Sequence, residues 1–227
     1  MGVEQLSDRT WPEVGTDDEL LLLVPVGSCE QHGPHLPLDT DTRIAVAIAG
    51  RVACRSDNIV VGPSVNFGSS GEHDGFPGTL SIGSAVLHDL LVELGRSADR
   101  FGSVVFVNGH GGNLDALRSA SALLQSEGRD VRFWSPVIPG ADAHAGFTET
   151  SLLLAIDPDC VRLDRIESGT TTPLREILDD LRTGGVRSVS VNGVLGDPLG
   201  ANQNDGNILF DALVSQLVAF IDVGEGL

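Results

Sequence analysis

Short apolar runs alternate along this chain with longer amphipathic ones. Residues 20–26, 58–61, 103–107 and 130–134 have the length of strands; Pro25 and Gly27 close the first, and Gly62-Pro63 the second. Apolar residues between them recur at helical spacing: Ile44, Ala45, Ile48, Ala49 and Val52 within 40–55, and Leu87, Leu90, Leu91 and Leu94 within 84–101. Further helices are predicted over 114–125, 173–182 and 207–221, the last with Leu209, Leu213, Leu217 and Phe220 in step. Strands alternating with helices of this length predict βαβ units, hence an α/β fold with a mostly parallel β-sheet flanked by helices. No repeat or linker divides residues 1–227, which read as a single domain. The stretch 184–206, rich in Gly and Asn, reads as surface loop.

In open α/β sheets, ligands sit beyond the carboxyl ends of the strands, and here those places hold histidines. After the first strand, residues 27–41 (GSCEQHGPHLPLDTD) bring Glu30, His32, His35, Asp39 and Asp41 into one turn before a helix. Glu and His suit zinc, manganese or iron, and residues two apart in an extended segment point the same way. Asp41 at a helix start could cap the helix or, with two oxygens, bridge two metals. After the third strand comes NGHGGN, 108–113, where Gly on both sides of His110 suggests a tight backbone that lets one imidazole reach a site, with Asn108 and Asn113 as supporting partners. DAHAGFTETS, 142–151, follows the fourth strand and offers Asp142, His144 and Glu149; Glu149 reads as a metal ligand or a helix-dipole partner, and His144 as a proton carrier. The Gly- and Pro-rich segment 70–83 reads as a loop over the site, with His73 a surface residue of it rather than a ligand. His88, inside an amphipathic helix, reads as structural.

Charge narrows the partners. Among 227 residues there are 32 acidic and 14 basic side chains, a net of −18, and every basic one is Arg. Such a surface repels phosphate backbones and anionic membranes, so neither nucleic acid nor membrane is expected as a partner. No run of eighteen apolar residues appears and the N-terminus has no basic-then-apolar pattern, which predicts a cytoplasmic protein. The three Cys have no CxxC spacing. Cys29, near His32 and His35, raises a Cys–His hydrolase as a rival chemistry, but the two carboxylates of that segment have no use in a thiol mechanism. Cys54 and Cys160 read as small buried hydrophobes.

Together these segments resemble the creatininase family of metal-dependent amidohydrolases. Its signature looks like Glu-x-His followed, eleven residues after the Glu, by an Asp; Glu30, His32 and Asp41 have that spacing, and NGHGGN and HAGFTETS match two later blocks. The resemblance implies Glu30, His32, Asp41 and His110 as ligands of two divalent metal ions (zinc, iron or manganese), with Asp41 bridging. It implies His144 as the proton carrier and Glu149 as a further site glutamate. Creatininase itself has a Glu two residues after the NGH histidine, where this chain has Gly112, so Glu149 either completes the second metal site or leaves that ion weakly held. Within the family the chain is most similar to a peptidase branch acting on a modified, ribosomally made precursor peptide, from which a C-terminal Val-Tyr-derived core is released. Members acting on a small cyclic amide or formamide are the alternative. The family also implies a homo-oligomer.

Overall fold

A computed structural model of the chain describes residues 5–14 and 20–224. The first four residues, part of the segment on which the absence of an export signal was judged, lie outside the described residues. Four parallel strands, β1 (Leu21–Val26), β2 (Ile59–Val61), β3 (Ser103–Asn108) and β4 (Val131–Trp134), form one sheet in the order β2-β1-β3-β4. Leu21 pairs with Ile59 on one side and Ser103 on the other, and Val104 pairs with Val131.

Among the described residues, eight α-helical segments accompany the sheet: α1 (Trp11–Val14), α2 (Thr40–Ala53), α3 (Gly83–Ser97), α4 (Leu114–Ser126), α5 (Phe147–Ile156), α6 (Leu174–Gly184), α7 (Val186–Val189) and α8 (Gln203–Gly224). Alternate strand residues face opposite layers. Leu21, Leu23, Val105 and Val107 pack with α2, α5 and α8, whereas Leu22, Val24, Val104 and Phe106 pack with α3 and α4. Every residue of β1 is buried, as expected of a parallel strand covered on both faces.

Two elements differ from the expectation. β1 continues through Pro25 to Val26. The Pro25 carbonyl accepts from Val65 N–H on the β2 side, so the missing N–H also faces that side, beyond the last β2 residue, Val61. Proline therefore removes no bond to β3. The stretch 184–206 is not all loop, since it contains α7. α8 is long and apolar enough, by length and composition, to cross a bilayer. Its Phe210, Leu213, Val214, Leu217 and Ile221 instead close the core over α2 and α5, the place of a core helix.

The strand order reverses between β1 and β3: from β1 the chain goes outward to β2, then returns across to β3. Loops leaving these two neighbours diverge, which opens a crevice at their carboxyl ends.

Candidate functional site

The loop after β1, the turn after β3 and the start of α5 meet in that crevice. A cleft of about 540 Å³ opens there, with Asp41, His110, His144 and Glu149 in its lining. Gly109 lets the turn after β3 approach α2, because a Cβ on it would lie 2.3 Å from the Asp41 carbonyl oxygen. Asn108 braces the turn, donating to the His110 carbonyl at 2.8 Å and to Ser135 Oγ at 2.9 Å. Asn113 donates to the Gly27 carbonyl at 2.9 Å and accepts from Ser69 N–H at 2.9 Å. Both asparagines thus hold backbone rather than an imidazole.

Asp41 stands at the centre. His32 Nε2 lies 3.1 Å from its Oδ1, His110 Nδ1 lies 3.2 Å from its Oδ2, and Ser28 Oγ donates to Oδ2 at 2.7 Å. Each carboxylate oxygen therefore serves a different imidazole. Glu30 is fully buried, and among the described residues neither of its oxygens has a hydrogen-bond partner. Its Oε1 faces ring nitrogens of His110 at 3.2 Å, His73 at 3.4 Å and His144 at 3.8 Å. Glu149 Oε2 lies 3.8 Å from His32 Nε2 and accepts from Ala145 N–H at 2.6 Å. Ala145 takes a left-handed backbone (φ 53°), which turns the chain between His144 and α5. Glu30, His32, Asp41, His110, His144 and Glu149 are thus brought together.

The far ring nitrogens are equally ordered. His32 Nδ1 is 3.2 Å from the Glu30 carbonyl, His110 Nε2 is 3.1 Å from the Ser69 carbonyl and His144 Nε2 is 2.8 Å from the Gln31 carbonyl. An N–H donated to each carbonyl fixes the tautomer and turns the other nitrogen inward, the arrangement usual for metal-ligating histidines. Three groups of side chains, Glu30-Asp41-His110, His32-His144-Glu149 and Glu30-His73-His144, each place their ligand atoms within 4.8 Å of one another. A buried carboxylate without a donor is costly unless a cation meets it, so these residues fit a divalent metal.

Electrostatics agree with a site built for cations. Burial opposes charge on His32, yet the Asp41 carboxylate and its hydrogen bond raise its pKa to about 10. His110 is likewise raised against burial by Glu30 and Asp41, while those two imidazoles hold Asp41 well below the usual carboxylate range despite its burial. Burial pushes Glu149 up to about 7, and burial with the neighbouring His32 holds His144 down to about 4.

Other expectations are redrawn. His73 is a buried member of the site, not a surface residue: its Nδ1 accepts from Gln31 Nε2 at 2.9 Å, and its ring lies tilted against the His144 ring, 4.5 Å between centroids. Gln31, unremarked in the sequence, donates its side-chain amide to His73 Nδ1 and the Gly193 carbonyl, while its backbone carbonyl accepts from His144. The only local signal was their neighbours, Gln31 lying between two prospective ligands and His73 beside Glu72 in a segment otherwise built for turning. His35 is buried behind the site on Thr150, Asp39 pairs with Arg43, and Asp142 caps α5 through Phe147 and Thr148 N–H. His88 bonds Ser119, joining α3 to α4. Cys29 points to the Gly78 carbonyl with its thiol pushed up by burial, which disfavours the thiolate a Cys–His mechanism needs. Cys54 is exposed rather than buried because it follows α2 at the surface, and Cys160 is half-buried.

Gly112 has a counterpart. A Cβ there would lie 2.4 Å from His110 Nε2 and 2.7 Å from Glu72 Oε1, so the space above His110 belongs to the Glu72 carboxylate, 3.5 Å from that nitrogen.

A doubly wound sheet carrying clustered carboxylates and imidazoles at its switch point is the frame of a metal-dependent hydrolase. The family model for creatininase (creatinine amidohydrolase) matches residues 7–221, and the chain belongs to that family. It is 56% identical over 201 residues to the mycofactocin precursor peptide peptidase of Mycolicibacterium smegmatis, covering 86% of this chain and 81% of that protein. With the creatinine amidohydrolase of Pseudomonas putida it shares 32% over 196 residues, 71% of this chain and 75% of that one. A solved manganese creatininase superposes with a TM-score of 0.77 at 27% identity, covering 97% of this chain and 98% of that chain.

Proposed function

We propose that this protein is a metallopeptidase that cleaves a modified precursor peptide in mycofactocin biosynthesis, releasing its C-terminal Val-Tyr-derived core. The observation that carries the substrate is the 56% identity to the Mycolicibacterium smegmatis peptidase, against 32% to the creatinine amidohydrolase.

Glu30, Asp41 and His110 would hold one divalent ion and His32 with Glu149 would supply donors for a second, with mixed nitrogen and oxygen ligation open to zinc, iron or manganese. Such ions lower the pKa of bound water from 15.7 to about 7 and polarise a carbonyl. Asp41 keeps the two histidines at a fixed separation, and Ser28 holds its orientation. His144, its Nε2–H committed to Gln31, presents Nδ1 to the cleft. Its pKa of about 4 keeps it neutral at pH 7, ready to accept the proton of the attacking water. As the C–N bond breaks, the same Nδ1 gives that proton to the departing amine.

The test is mass spectrometry of the modified precursor peptide after incubation with metal-loaded protein. We expect the released core, absent with His32→Ala. An intact peptide in the presence of bound metal overturns the assignment.

A further inference from the structure

One side of the cleft has a character opposite to its floor. α6 packs on a small cluster of Ile177, Val186 and Leu195 through one stripe. A second stripe of the same helix, Leu174 and Leu178, four residues apart, lines the cleft together with Leu181, Val186 and Leu195. Leu174 is 46% and Leu178 37% exposed, although both share the cleft lining with Leu181, Val186 and Leu195. Two leucines held in water at the mouth of a cleft gain from burial only when something apolar is laid against them. Ligand clefts commonly join such a wall to a few convergent polar groups, and here those are the carboxylates and imidazoles opposite.

We infer that the Leu174–Leu178 stripe is a specificity wall that seats an apolar residue on the amine side of the scissile bond. The side is set by Leu195. Its carbonyl accepts from Ala143 N–H at 3.0 Å and His144 N–H at 3.2 Å, and its N–H donates to the His144 carbonyl at 2.9 Å. This bridge fixes the inner end of the wall against the backbone of the residue that protonates the leaving amine. A substrate whose amine reaches His144 therefore lays the side chain of that same residue along α6. This rests on the peptidase reading, since it takes the leaving group to be the amine of a peptide.

The experiment uses the full metal-loaded chain and two peptides that differ only in a valine or a glycine on the amine side. Wild type should prefer valine by about tenfold to a hundredfold in kcat/KM, and Leu174→Gln/Leu178→Gln should bring that ratio close to one while still binding its metals. Leu178→Met, which keeps an apolar side chain, should restore most of the preference. Calorimetric binding of the free fragments, a valine-initial and a glycine-initial dipeptide amide, runs alongside. If neither peptide is cut, cleavage of the modified precursor decides the peptidase reading, and the wall stands only if the valine fragment binds more tightly and loses that advantage in the double glutamine variant. Equal rates in wild type, a preference untouched by the variant, or equal or absent binding of the fragments where neither peptide is cut overturns the wall.

Discussion

Asp41 and His144 line the same cleft with different roles, and substitution should separate them. Both oxygens of Asp41 are engaged by different imidazoles, so Asp41→Ala should remove the shared ligand and drop bound metal toward zero, whereas Glu149→Ala should leave one ion. Metal per chain by elemental analysis checks both. His144→Ala should keep its metals and lose about 10²- to 10⁴-fold in kcat, the usual worth of a positioned acid–base group; full kcat in this variant would remove the proton-carrier role. The residues that sequence reasoning located were those in dense, chemically unusual runs, such as Glu30-Gln31-His32 or the glycine-flanked His110. His73 was misread because a lone histidine in a turn-rich segment carries no periodicity, and its burial comes from packing against His110 and His144, residues 37 and 71 positions away.

At the scale of elements, the strands and the four long helices α2, α3, α4 and α8 were legible because each has an apolar face or run that must be buried. α7 was not, since its four residues are too few to express a helical period. Nor could the pattern say which loops converge; that follows from the strand order, with β1 and β3 adjacent. The contact between the turn after β3 and the first turn of α2 is the joint that makes the site. Gly109→Ala forces a methyl group to within 2.3 Å of the Asp41 carbonyl, and one of the two backbones must retreat. We expect a loss of about 1–3 kcal/mol in stability together with about tenfold to a hundredfold weaker metal binding, as for other supports of a metal site. Chemical denaturation and metal titration read the two effects separately. Unchanged metal affinity would mean that the turn can shift without moving His110.

For the whole molecule the site is an electrostatic debt carried by the fold. A chain of net charge −18 buries Glu30 and Asp41 at the carboxyl ends of its strands, and in the metal-free protein the positive charge facing them is a proton on His32 or His110. His32 is raised from 6.5 to about 10. A group raised on folding contributes stability that is complete below its unfolded value and is lost as pH climbs through the folded one. The metal-free protein should therefore weaken from about pH 6.5 to 10, with His110 adding in the same direction and Glu149 contributing an earlier loss between 4.5 and about 7. Asp41, pulled below 3.8, acts at the other end, its contribution disappearing only in strong acid. Bound ions reverse the neutral-to-alkaline limb, because the ligand atoms must be deprotonated to hold them and metal competes better as protons leave. Thermal melts of chelated and metal-loaded protein should accordingly diverge with rising pH. The gap should reach on the order of 2–4 kcal/mol, each kcal/mol being about 2–4 °C in Tm for a chain of this size. Parallel curves would mean that the cluster pays for its own charges without a cation, and that the unpartnered carboxylate of Glu30 has some other relief.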